Sequence, residues 1–368
     1  MVLHRRRGLR RALHRRHAVL LSRLAGALAL AALAASPAAA QPRVETIATG
    51  LEVPWALAFA PDGRLYVTER VGRIRVVKEG RLEPDPVATL TVAAQGEAGL
   101  MGLALDPRFT DTGHLYVCYT AERQGSLVNR ITRFTLREGR AGEERVLLDG
   151  MHGAPTHDGC RLKFGPDRKL YATMGDAREA RLAQARDSLN GKILRLEANG
   201  SVPADNPFPG SPVWSLGHRN PQGLAWDGKR RLLAAEHGPS AHDEINRIEP
   251  GKNYGWPDVA GADDPAAPRR GYVDPIVESE RDTWAPSGIA WLGDSVWVAA
   301  LRGERLIQIT LDADLKLVNV RSILRRVHGR LRDVVVGPDG ALYVTTSNRD
   351  GRGSAREGDD KILRVVPQ

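Results

Sequence analysis

The residues best equipped for chemistry lie between Gly217 and Pro239. Gly217-His218-Arg219-Asn220-Pro221-Gln222-Gly223 sets a guanidinium and an amide beside a proline-fixed turn. Two short apolar runs follow, Leu224-Ala225-Trp226 and Leu232-Leu233-Ala234-Ala235. The second runs into Glu236-His237-Gly238-Pro239, a Gly-Pro turn that exposes backbone and leaves carbonyls free. A fixed cation beside bare carbonyl oxygens suits a site that binds a metal ion and an oxidised organic group together.

These residues sit inside a repeat. An apolar strand, a Pro-Asp-Gly-like turn and a second strand recur at 57–68, 103–119, 162–173, 224–235, 288–299 and 334–345. Pro61-Asp62-Gly63, Pro166-Asp167 and Pro338-Asp339-Gly340 are hairpin turns. A third strand with alternating apolar and polar residues follows each hairpin, as in Arg73-Ile74-Arg75-Val76 and Lys361-Ile362-Leu363-Arg364-Val365. No long amphipathic helix competes. Strand-rich units of this length, unable to bury their faces alone, predict an all-β, six-bladed β-propeller. Six copies in phase argue against a β-sandwich. Residues 44–49 precede the first hairpin and are expected to complete the last blade, closing the ring.

The polar residues fall at one phase of that repeat. Trp55, Glu97, His157, Arg219-Asn220, Trp284 and Arg330/Arg332 stand where inner strands start. Gly175-Asp176, Gly238-Pro239 and Arg302 stand where the partner strands end. In an antiparallel hairpin those two places share an edge, so both groups are expected at one mouth of the central channel. Singly, each has a plainer reading. His157 caps a turn, Arg302 or the Arg330/Arg332 pair forms a solvated face or a salt bridge, and Asp243-Glu244 is an acidic turn. Their shared position favours a site.

Composition narrows the class. Residues 1–40 read as a secretory signal: a basic stretch from Arg5 to Arg16, an apolar run from Leu24 to Ala35, then Ala38-Ala39-Ala40. Its uninterrupted apolar run is shorter than the roughly 20 residues of a membrane span. The adjacent arginines leave Sec and twin-arginine export open. The expected location is periplasmic or secreted. The signal holds eight arginines and no acid, so its removal takes the formal charge from +9 to +1. The basic pI therefore reports export, and no basic patch with interleaved aromatics points to nucleic acid. The mature segment, 41–368, is read as one propeller domain. Cys118 and Cys160 are the two cysteines, and the sequence leaves open whether they pair.

Together with Arg219 to Gly223 and Glu236 to Pro239, four further stretches carry a family resemblance. They are His157 with Arg161-Leu162 and Gly165-Pro166-Asp167; Asn190-Gly191-Lys192-Ile193-Leu194-Arg195; Asp243-Glu244-Ile245-Asn246; and Asn253-Tyr254-Gly255-Trp256-Pro257. From Leu51 to the last strand, the chain resembles the soluble sugar dehydrogenases that use pyrroloquinoline quinone (PQQ), the glucose/sorbosone dehydrogenase family. The resemblance implies oxidation of aldoses at C1 to lactones by hydride transfer to PQQ, with Ca²⁺ as the second cofactor. It implies His157 as general base, because an imidazole accepts a proton near neutral pH. It implies Arg219 as the cation that stabilises developing negative charge. Glu97, Asn220, Arg302, Arg330 and Arg332 become PQQ contacts, the arginines matching its carboxylates. The carbonyls of Gly238 and Pro239 become ligands of the PQQ-bound calcium. Asp243, Glu244 and the Tyr254 backbone become a structural calcium site.

The chain also departs from the family's glucose dehydrogenases. Glu97 stands for Gln, Thr156 for Asp and Arg302 for Lys, and the segment before Trp284 is shorter. The shortening points to an open substrate site and the broad aldose-dehydrogenase branch, while Glu97 would repel PQQ carboxylates. Expected partners are an aldose and a soluble or membrane electron acceptor, with the chain a monomer. Two other readings stand beside this one: a calcium-dependent propeller lactonase or hydrolase, and a propeller that binds carbohydrate or a partner without catalysis.

Overall fold

Alternation of apolar and polar residues builds six antiparallel sheets, each wound outward from an inner strand. The computed structural model describes residues 41–262 and 270–367. The secretory signal expected over 1–40 lies outside the described residues. Inner strands are Pro54–Phe59, Leu100–Leu105, Gly159–Phe164, Pro221–Trp226, Pro286–Leu292 and Leu331–Val336, which we number blades I to VI. The all-β, six-bladed propeller expected from the repeat is the fold. Arg43–Ala48 pairs antiparallel with Ile362–Val366 as the outer strand of blade VI. The first and last segments of the propeller thus share one sheet, as the sequence predicted for residues 44–49. Among the described residues no helix is long and apolar enough to cross a membrane.

The mouth of the channel is shaped by a defect repeated in every blade. Each inner strand slips register against its partner near its first residues, between Pro54 and Ala56, Leu100 and Leu103, Gly159 and Leu162, Pro221 and Gly223, Pro286 and Ile289, and Leu331 and Asp333. A bulge re-aims side chains and bends the strand at that edge. In three blades a threonine hydroxyl takes the backbone N–H at the slip: Thr68 from Ala56, Thr173 from Arg161 and Thr345 from Asp333, at 2.9 to 3.1 Å. These threonines end the phrases Leu65-Tyr66-Val67-Thr68, Leu170-Tyr171-Ala172-Thr173 and Leu342-Tyr343-Val344-Thr345. In blade II the matching residue is Cys118, and it forms a disulfide with Cys160 at the bulge of blade III.

Below the mouth the inner strands crowd together. A Cβ on Gly288 would fall 1.9 Å from Asp333 Oδ1, and one on Gly223 would fall 2.5 Å from the Ser287 carbonyl. Glycine is what lets blades IV, V and VI approach this closely. Asp333 takes the Leu57 N–H of blade I at 2.8 Å and pairs with Arg161 of blade III at 3.0 Å, tying three blades across the channel.

Candidate active site

One cavity of about 610 Å³ gathers residues from the loops at the bulged edge. It is lined by His157, Arg219, Gly238, Pro239, Arg302, Arg330 and Glu97, all singled out from sequence. A cavity of about 710 Å³, lined by 85–91 with Tyr119, Arg130, Arg140 and Glu144, contains no histidine and none of the predicted residues. The chemistry therefore belongs to the mouth.

His157 occupies the left-handed region, φ 66°, on the loop that enters blade III. Its Nδ1 lies 2.8 Å from Asp176 Oδ1. Asp176 sits just past Leu170–Met174, the strand paired with that inner strand. With Nδ1–H donated to the carboxylate, Nε2 is the nitrogen left to accept a proton. Asp176 Oδ2 accepts the Trp256 indole N–H at 2.9 Å, and Oδ1 also accepts the Arg178 backbone N–H at 2.8 Å. Burial pushes the Asp176 carboxyl up, but His157, Arg178 and Trp256 outweigh it and hold it below the usual range. It is thus an anion fixed behind the imidazole.

Arg219 stands opposite in blade IV. Its Nη1 donates to the His237 carbonyl at 3.3 Å, and its guanidinium lies 5.3 Å from the centre of the Trp256 ring. Trp256 therefore touches Arg219 itself and Asp176, the partner of His157. Its own backbone is held by Gly217 O and by the Gln184 amide.

The arginine cluster is partly as expected. Arg302 is exposed on the wall and its guanidinium has no partner among the described residues. Arg330 and Arg332 point to one side of Leu331, as their alternation predicted, and share Asp350 at 2.8 and 3.6 Å. Arg332 and Asn220 do not line the cavity; they are buried, at 3% and 0% exposure. Burial pulls the Arg332 guanidinium down to about 10. Glu97 is neutralised by an ion pair with Arg352 at 2.5 Å, and its other oxygen takes the His157 N–H at 3.3 Å. Burial pushes Glu97 up, yet His237, Arg352 and Arg332 bring it below the ordinary value. The repulsion expected from Glu97 is offset by Arg352.

The residues fit a polyanionic, oxygen-rich guest. Among the described residues, buried His237 Nε2, Asn220 Nδ2, Arg332 Nε and Thr156 Oγ1 have no hydrogen-bond partner. No donor reaches the carbonyl of Gly238 or Pro239 among the described residues. Orphaned buried donors and bare carbonyls together call for a ligand and a hard cation.

The second expected cation set divides. Asp243 faces the main cavity and is saturated by the N–H groups of Gly238, Trp284 and Ala285 at 3.1, 2.7 and 2.9 Å. It clamps the Gly238-Pro239 turn. Glu244 faces a separate hole of about 10 Å³, shared with Glu236, Tyr254, Gly217 and Pro239. That is roughly the room one small sphere needs. Burial and the Glu236 charge push the Glu244 carboxyl up to about 8. Among the described residues no group of three or more His, Cys, Asp or Glu is arranged to hold a metal.

Sequence reasoning passed over Asp350, Arg352, Arg178 and the reach of Trp256 into the mouth. Asp350 and Arg352 follow the strand Leu342–Thr346, so the edge rule that found Asp176 would have found them.

The chain is similar to known proteins in sequence and in fold. The chain is 32% identical to an aldose sugar dehydrogenase of Escherichia coli, over 92% of this chain and 95% of the relative. It is 37% identical to quinoprotein glucose dehydrogenase B of Acinetobacter calcoaceticus, over 60% of this chain and 53% of the relative. The PQQ-bound structure of aldose sugar dehydrogenase from Streptomyces coelicolor superposes with a TM-score of 0.81 at 41% identity, covering 89% of this chain and 98% of that one. The family model for glucose/sorbosone dehydrogenase matches residues 51–363, a span that takes in every inner strand and every cavity residue, and the chain belongs to that family.

Proposed function

We propose that the protein is a PQQ- and Ca²⁺-dependent dehydrogenase that oxidises aldose sugars at C1 to lactones. The observation that carries this reading is the sharing of one cavity by His157, with Asp176 behind it, and by Arg219, Arg302 and Arg330. The named relatives, one a quinoprotein and one solved with PQQ bound, support it. When bound, PQQ supplies a two-electron acceptor and Ca²⁺ a Lewis acid beside it. Arg302, Arg330 and Arg332 would hold the carboxylates, with Asn220 and Glu97 completing the cradle. Gly238 and Pro239 would lend their carbonyls to the cation, and Asp243 keeps that turn in place. Glu244 and the Tyr254 backbone would hold a second, structural cation in the small hole.

His157 Nε2 takes the proton from the sugar C1 hydroxyl, while Asp176 fixes the tautomer and stabilises the imidazolium that results. Arg219 provides a positive charge already in place, so no solvent has to reorganise as charge develops. A calcium-dependent hydrolase would instead need free carboxylates converging on the channel, and here Glu97 and Asp243 are both taken by protein donors.

We further place the protein outside the cytoplasm, as a monomer that passes electrons to a soluble or membrane acceptor. The Cys118–Cys160 disulfide supports an oxidising compartment. The test is a spectrophotometric titration of the apo-protein with PQQ, with and without Ca²⁺. A saturable change in the quinone band that needs Ca²⁺ supports the reading, and an unchanged spectrum overturns it.

A further inference from the structure

We propose that Arg178 selects sugars carrying an anionic group, so that uronic acids are better substrates than neutral aldoses. The inference rests on the reading just given and names the substrate class of the same site. Arg178 lines the cavity beside His157 and is exposed at its mouth. Its backbone N–H is held by the same Asp176 oxygen that holds the His157 ring. The next residue back, Ala177, donates its N–H to the His157 carbonyl at 3.2 Å. Arg178 is therefore carried on the turn that orients the base, at the end of the cavity where a sugar must meet that base.

The guanidinium of Arg178 has no hydrogen-bond or ion-pair partner among the described residues. The arginines proposed for the cofactor come from other blades: Arg330 and Arg332 share Asp350 in blade VI, and Arg302 stands in blade V between Ser295–Ala300 and Arg305–Leu311. The bare carbonyls of Gly238 and Pro239 are the ones proposed for the cation, and carboxylate acceptors in the same wall are engaged. Glu97 is engaged by Arg352, and Asp243 by three backbone N–H groups. A neutral sugar asks for donors and acceptors alike. Among the described residues this wall offers the free Arg178 guanidinium, a buried unpartnered Thr156 hydroxyl next to the base, and no free carboxylate. That balance suits a ligand rich in acceptors, and an arginine matches a carboxylate with paired N–H bonds. The chemistry at C1 is unchanged. One C–H and one O–H bond break, a carbonyl forms, and two electrons and two protons leave, with the quinone as acceptor.

The experiment compares D-glucuronate with D-glucose on the holoenzyme reconstituted with PQQ and Ca²⁺, for the parent, Arg178→Gln and Arg178→Lys. The parent should show the higher kcat/KM for glucuronate. Arg178→Gln should lower the glucuronate value at least about tenfold more than the glucose value, through KM, as expected for a lost charge-assisted bond. Arg178→Lys should restore part of the difference. Calorimetric titration of glucuronate against the parent and Arg178→Gln gives a second readout that needs no turnover. Weaker binding to the variant supports the proposal. Equal kcat/KM for the two sugars in the parent, or equal glucuronate binding by parent and variant, overturns it. Failure of the dehydrogenase reading looks different: neither sugar is oxidised, and the calorimetric comparison still decides the role of Arg178.

Discussion

His157 Nδ1 and Asp176 Oδ1 lie 2.8 Å apart, one on the loop entering blade III and the other just past the strand that pairs with it. The pair exists because an antiparallel hairpin brings the start of one strand to the end of its partner. His157→Ala should lower turnover by about 10²–10⁴-fold, the usual contribution of a positioned acid-base group. Asp176→Asn should fall in a similar range, about 10²–10⁴-fold, because the amide can hold the wrong imidazole tautomer. Rates at saturating PQQ and sugar check both. Parent-like turnover in His157→Ala would make His157 a turn residue.

The arginines should separate by role. Arg302, Arg330 and Arg332 face groups whose charge is the same before and during the reaction, so their loss should appear as weaker PQQ binding. Arg302 is the cleanest probe, since Arg330 and Arg332 also neutralise Asp350. Arg302→Ala should weaken PQQ by about 1.5 kcal/mol, the lower end for a charge-assisted bond at an exposed position. Arg219→Ala should bind PQQ with a smaller loss and turn over slowly at saturation. PQQ titrations followed by saturated rates distinguish the two. Identical profiles for both variants would mean that the cofactor is oriented the other way round.

Asp158, next to the base, gives a pH prediction. Its side chain accepts from Asn129 Nδ2 and the Ala154 N–H through one oxygen, while the other is buried without a partner among the described residues. Burial pushes its carboxyl up to about 7. In the unfolded chain it ionises near 4, so folding retains a proton between about pH 4 and 7. Stability from this group is therefore highest at low pH and falls as pH rises through that window. Asp158→Asn keeps the accepting oxygen and removes the charge. Its thermal midpoint should exceed the parent's at pH 8, with the gap closing toward pH 4. A gap that does not change with pH would show that the carboxyl titrates normally.

The Cys118–Cys160 bridge closes a loop with a sequence separation of 42 and joins blades II and III. A loop of that length is worth about 4 kcal/mol by chain entropy, and measured values more often reach about 2–4 kcal/mol. Cys118→Ser with Cys160→Ser should lose stability on that scale in chemical unfolding. The fold should stay intact, because the strand pairings of blades II and III are made without the bridge. No loss, or the same loss from reducing agent added to the double variant, would contradict this.

The propeller and most of its mouth were legible because hairpin turns and strand alternation are local signals that repeat. The edge rule then placed His157, Arg219, Gly238 and Arg302 in one cavity without any distance information. What stayed hidden depends on approach between distant segments. Asp243 and Glu244 are neighbours in sequence and looked like one acidic turn, yet successive strand residues point to opposite faces, and they serve different cavities. Arg352 neutralises Glu97 from 255 residues away, and Trp256 reaches Asp176 from 80 away, neither marked by any local pattern. The disulfide was undecidable for the same reason: only the packing of blade II on blade III brings the two sulfurs together.

Reconstitution tests the central claim most directly. Apo-protein stripped with chelator is mixed with PQQ, Ca²⁺, an aldose and an artificial dye, and dye reduction is followed. The account predicts sugar-dependent dye reduction that requires both PQQ and Ca²⁺ and disappears in His157→Ala. Equal reduction without PQQ, or reduction supported by a nicotinamide cofactor in its place, would contradict it.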